Sequence, residues 1–145
     1  MRESSLWTYP IINLAHIFGI AALFGSTLII DLRLLGLWRR VPLAAIADTA
    51  APVATAGFFL AAFTGTGLLA TKATEYYGNP FLLIKFSAIA CGLINVLVLS
   101  VSRAWRERRA RVLSEKEDRQ LAIMGGISLV CWLTAVTAGR LIAYW

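Results

Sequence analysis

Three ionisable side chains, His16, Lys85 and Arg140, fall inside stretches that are otherwise apolar, and His16 is the only histidine among 145 residues. Within a bilayer such groups are rare and costly, so each marks a site until a partner accounts for it. Imidazole ligates haem iron or copper through a ring nitrogen. Two cations and an imidazole at one place repel each other in a low dielectric unless an anion, a carboxylate or a carbonyl-rich lining joins them. The acids on that side of the chain are Glu3 and Glu75, both expected near the water. An exogenous anion fits better: haem b propionates beside Lys85 and Arg140, with His16 as the axial ligand. Copper held by His16 is the second chemical reading. Asn13, one turn before His16, joins the candidate group as a cofactor contact or as the hydrogen-bond partner of a histidine that merely packs. The plainer readings are that Lys85 and Arg140 snorkel to the headgroups and that His16 bonds Asn13 or a helix carbonyl.

The elements that must position these residues are helices in a membrane. Hydrophobic residues make up 59% of the chain and charged ones 15%, with a mean hydropathy of +0.71, outside the range of soluble domains. Four stretches suffice to cross roughly 30 Å of hydrocarbon, which takes about 20 helical residues. They run over 6–30, 52–71, 80–101 and 121–144, with a short interfacial helix over 42–51 leading to a kink at Pro52. The fold expected is all-α, a single four-transmembrane-helix bundle. Ten of the 14 Lys and Arg lie in the connections after the first and third spans, so these loops are expected to be cytoplasmic and both termini periplasmic. Trp7, Tyr9, Tyr76, Tyr77, Tyr144 and Trp145 gather at the opposite boundary, as an aromatic belt does.

The net charge of +6 thus reads as a topology signal and a contact for anionic lipids. No recognition motif accompanies it, and nucleic-acid binding is not expected. The N-terminus lacks the pattern of a cleavable signal peptide. Cys91 and Cys131 sit in the middle of apolar spans, without the spacing of a disulfide framework or a closed metal site.

Start signals are legible. Asn79-Pro80 offers an N-cap followed by proline, Val41-Pro42 puts proline at a first helical turn, and Ser114 to Glu117 matches a capping box. The third helix is expected to extend to a turn near Leu113. Small and polar residues recur on one stripe of each helix: Asn13, His16, Gly19, Leu23 and Thr27 on the first, Gly57, Ala61, Thr64 and Thr71 on the second, and Lys85, Ala88, Gly92 and Asn95 on the third. Such stripes are where membrane helices pack. Thr64 to Gly67 allows close approach or a bend and is not a phosphate loop. Asp31 and Arg33 read as a local ion pair at the inner end. At about 1.5 Å per residue, His16 lies roughly 13 Å below Trp7, with Lys85 and Arg140 about 8 Å below their helix ends, so all three can share one outward-opening pocket.

No enzymatic template appears, and catalysis by this chain alone is not expected. His16 with Gly25, the run Asp31-Leu32-Arg33-Leu34-Leu35-Gly36, Gly57 with Thr64-Gly65, and Asn79-Pro80-Phe81 with Lys85 resemble bacterial four-helix membrane proteins allied to the copper-resistance D (CopD-like) group. That resemblance implies a bacterial inner-membrane protein linked to copper or haem redox biology, with metal handling carried only to His16. A bis-histidine haem would need a homo-oligomer. Two functions are therefore expected to compete: binding of haem or a metal, with small-anion transport as a narrower form, or a non-catalytic subunit of a larger redox or transport complex.

Overall fold

A computed structural model describes the backbone over residues 2–144 and the side chains over residues 6–144. The side chains of Arg2 and Glu3, and all of Trp145, lie outside the described residues. The chain is helical almost throughout: α1 Arg2–Leu35, α2 Leu43–Thr71, α3 Ala73–Tyr76, α4 Pro80–Val101, α5 Arg103–Arg106 and α6 Glu115–Leu141, closed by a 3-10 turn over Ile142–Tyr144. Four of these helices, α1, α2, α4 and α6, are long and apolar enough to cross a bilayer. This is a multi-pass membrane protein.

Local chemistry sets the helix ends. At the end of α1, Leu37 N–H bonds Leu32 C=O at 3.0 Å and Gly36 N–H bonds Arg33 C=O at 3.1 Å. Gly36 carries φ +113°, so this is a Schellman termination that needs glycine at the left-handed position. The side chain of Asn79 accepts from Phe81 N–H at 3.0 Å, and its amide donates to Ile142 C=O at 3.3 Å. One residue thereby caps α4 and ties it to the chain's C-terminal turn. The Ser114 capping box forms in full, and Arg111 grips its Glu117 through two hydrogen bonds of 2.9 and 2.6 Å. Ser114→Ala is expected to cost about 1 kcal/mol through loss of the cap, read as a lower melting temperature in mild detergent. An unchanged melting temperature would show that tertiary packing alone holds this end of α6.

Two expectations about the inner half give way. The interfacial helix over 42–51 and the span over 52–71 are one helix, α2, with Pro52 inside it. A proline removes one N–H, and burial of Leu43, Ala47 and Ala50 before it and of Gly57, Ala61 and Thr64 after it keeps the helix whole on both sides of that gap. The extension of the third helix is broken instead, at Ser102, whose side chain accepts from Trp105 N–H to start α5. The inner end is then laced by charge: Asp48 accepts from Arg108 at 3.0 Å and from Arg109 at 2.6 Å, and Glu107 pairs with Arg103 and Arg111. The hydrogen bond from Arg111, then that from Arg103, holds the Glu107 carboxyl below its usual range.

Packing divides the molecule into a solid half and a hollow half. Ile30, Leu34, Leu43, Ala50, Leu99 and Leu121 form a continuous inner core with Ala104. Towards the outer end the helices pair: α2 lies on α1, α1 on α6 and α6 on α4, whereas α2 and α4 make no comparable contact. The α1–α2 crossing is close because Gly19 and Gly57 have no side chains. A Cβ on Gly57 would come within 2.5 Å of Leu23 N and 2.8 Å of Gly19 O. With three close backbone pairings in place of four, the side between α2 and α4 is closed by side chains alone, Leu43 and Ala50 with Leu99 in the inner core and Phe58 on Ala88 and Trp132 further out.

Candidate functional site

A cavity of about 600 Å³ lies in the half of the bundle that carries the two termini, here its outer half, and is lined by all four long helices. His16 and Asn13 reach it from α1, Gly65 from α2, Lys85 from α4 and Arg140 from α6. All four candidate residues of the sequence reading therefore line one space. Below them the wall is apolar, with Leu23, Phe24, Phe58, Ile89 and Trp132. The arrangement is amphipathic along the bundle axis, polar towards the outer end and greasy towards the inner core.

His16 is positioned by α2. Its Nδ1 lies 3.1 Å from Thr64 Oγ1, and that hydroxyl sits 2.6 Å from Leu60 C=O one turn back, with Ala61 C=O further off at 3.4 Å. A hydroxyl has a single proton, and here it is committed to the helix carbonyl, so Thr64 Oγ1 accepts from His16 Nδ1–H. The hydrogen-bond network thus assigns the neutral tautomer with its lone pair on Nε2. Of the expected partners, Asn13 is not used and stays exposed at the cavity wall, whereas a helix carbonyl, that of Ala61, does accept from the ring beside Thr64. Gly65 makes room for the ring, because a Cβ there would stand 2.9 Å from His16 Cε1.

Lys85 is half-buried and close enough to interact electrostatically with His16. Its Cδ, Cε and Nζ run alongside Gly139 of α6, each 3.6 Å from where a Cβ would stand. The Ala135/Gly139 pair of the sequence thus serves partly to lodge a lysine. Among the described residues Lys85 has no ion-pair partner. Glu75 is engaged elsewhere, 3.8 Å from Lys72, and the side chain of Glu3 lies outside the described residues. Arg140 is exposed at the rim, donates to Tyr144 Oη at 2.8 Å and stacks over that ring at 5.1 Å. It is a rim cation, and Lys85 is the inner one.

Chemically, the cavity offers one imidazole nitrogen with a free lone pair, one unpaired ammonium, one guanidinium at the mouth and an apolar body. Among the described residues no three of His, Cys, Asp and Glu come together as a metal cage. A ligand that brings most of its own donors suits this set better than a bare ion. Trp132 closes the floor, buried against Gly92.

The sequence reading missed two features. Thr64 was on its helix's inward stripe, and that periodicity was the available signal, but nothing along the chain matched it to His16. Asp31 and Arg33 do not pair. Arg33 Nε donates to Val41 C=O at 2.9 Å, while Asp31 is 3% exposed on the face of α1 that meets Gly125 and Ser128 of α6. Two positions apart on a helix, the two side chains point about 200° apart.

Residues 9–145 match DUF6644, described as a family of unknown function. No curated protein and no solved structure matches the chain.

Proposed function

The chain belongs to DUF6644, a family of unknown function, so its activity must come from its own geometry, and we propose that it is a haem b-binding protein of the bacterial inner membrane. His16 would hold the haem iron through Nε2, and Lys85 and Arg140 would meet the propionates. The observation that carries this reading is the His16–Thr64 bond of 3.1 Å, which holds the ring at the wall of a cavity of about 600 Å³; in the tautomer that this bond favours, Nε2 keeps the lone pair. Ligating histidines characteristically donate their other N–H in this way, which orients the ring and raises its basicity. Haem supplies four nitrogen donors itself, so a single histidine suffices for five-coordinate iron. That answers the scarcity of ligands better than copper does. The orientation with both termini outside rests on the basic residues of the connections after α1 and α4, and the bacterial setting on the resemblance to the copper-resistance D group.

Titration of the detergent-purified protein with haemin tests the reading: a saturable Soret shift at one haem per chain is expected, and a non-saturating, detergent-like spectrum would refute it. Thr64→Val keeps the side chain's bulk and removes the acceptor of Nδ1–H. By the size of other outer-shell effects on ligating histidines, haemin affinity should fall by about 10–100-fold with folding retained. Unchanged affinity would mean that Thr64 does not orient the ligand.

A further inference from the structure

The cavity has an outer end and a side between α2 and α4, and the residues that line them differ in kind. At the outer end its lining includes Tyr9, Tyr76 and Arg140, and here Lys72, at the end of α2, lies over the Tyr9 ring of α1 at 5.6 Å. Along the side, the backbones of α2 and α4 stay apart, and the gap is closed by side chains alone, with Phe58 of α2 packed on Ala88 and Trp132 at its inner end. The edges of this gap are apolar: Phe58, Ala62 and Leu69 on one helix, Leu82, Phe86 and Ile89 on the other. Phe86 is 48% exposed, and Ala62 is exposed.

We infer that the ligand is an anionic amphiphile, carboxylates on an apolar body, which enters and leaves sideways through the gap between α2 and α4, directly from the bilayer. This rests on the reading of the cavity as a ligand site. In a membrane such a molecule lies with its carboxylates at headgroup depth and its apolar body in hydrocarbon. Lys85 and Arg140 occupy the outer end of the cavity and the apolar wall the inner end, so lateral transfer keeps every group at its own depth. Entry from water would expose the apolar body to solvent and withdraw it again. The lone ammonium of Lys85 supplies the charge complement, and a ligand carboxylate reaching it loses its water only when a cation is there to replace it.

The experiment loads protein reconstituted in lipid vesicles with haemin already dissolved in the same bilayer, while an excess of an aqueous haem-binding protein outside scavenges any haemin in water. Loading in the presence of the scavenger is expected. Ala62→Trp, which adds bulk at the gap, should slow both loading and release by about tenfold while leaving Kd nearly unchanged, as a change of barrier alone does. Phe86→Ala, which widens the gap, should speed both, so a failure of Ala62→Trp to fold leaves a working test. Tyr9→Ala, which loosens the outer end, should leave the rates alone. A parallel arm uses a fluorescent long-chain fatty acid in place of haemin. If the fatty acid loads by the same gap-sensitive route and haemin does not, lateral entry stands and the haem reading falls. Loading abolished by the scavenger, rates sensitive to Tyr9→Ala and not to the gap variants, or no loading of either amphiphile would overturn the inference.

Discussion

Replacing His16 with alanine is expected to abolish axial ligation of haem and to lower haemin affinity by more than the about 10–100-fold assigned to loss of the Thr64 hydroxyl. The fold should survive, because Thr64 Oγ1 donates to Leu60 C=O at 2.6 Å whether or not the imidazole is present. The space left beside Gly65 lies in a cavity that is already open, so no packed core is hollowed out. His16→Gly offers a sharper form of the same test. Free imidazole should enter the vacated space and restore the ligated spectrum in proportion to its concentration, a response that a packing role for His16 does not produce. An unaltered Soret band in His16→Ala would remove the histidine from the site.

The second large effect lies at the α1–α2 crossing. Gly57→Ala would set its Cβ 2.5 Å from Leu23 N, 2.8 Å from Gly19 O and 2.9 Å from Ala22 Cβ. Two of these three atoms are backbone and cannot turn aside, so the helices must separate. Overpacking of this kind costs about 1–3 kcal/mol, and Gly57→Leu should cost more, to the point of lost expression. The crossing also carries His16 to Thr64, so Gly57→Ala should weaken haemin binding as it lowers the melting temperature. Gly67→Ala on the same helix is the control: nothing lies within 4 Å of its Cβ position, and alanine is the better helix former by up to about 1 kcal/mol. Equal melting temperatures for the two variants would show that the close approach of α1 and α2 does not hold the protein together.

Much of this molecule is written in local signals. The four spans follow from apolar length, and the starts of α4 and α6 follow from Asn79-Pro80 and from Ser114 with Glu117, because a cap is a contact between residues two or three apart. Depth along each helix shows that His16, Lys85 and Arg140 can share one pocket, but that they line one cavity with Asn13 is a tertiary fact no spacing reveals. What sequence could not supply is which stripe meets which. Thr64 and His16 are 48 residues apart, and Asn13 lay nearer in the chain. Nor does any residue pattern announce that α2 and α4 stay apart, since each also presents apolar side chains suited to lipid. Pro52 misled because a broken hydrogen bond is a local penalty, and the buried Leu43, Ala47 and Ala50 that offset it are tertiary. Asp31 misled similarly: its neighbour in sequence, Arg33, is not its neighbour in space.

The central claim is that His16 holds haem in the outer cavity. It is tested most directly by the absorption spectrum of protein purified in mild detergent from cells supplied with a haem precursor, with haem and chain quantified together. The account predicts a Soret band at about one haem per chain, lost in His16→Ala, which would purify in the same yield. Native protein that purifies folded from haem-replete cells without a Soret band, and takes up no haemin when titrated, would contradict it.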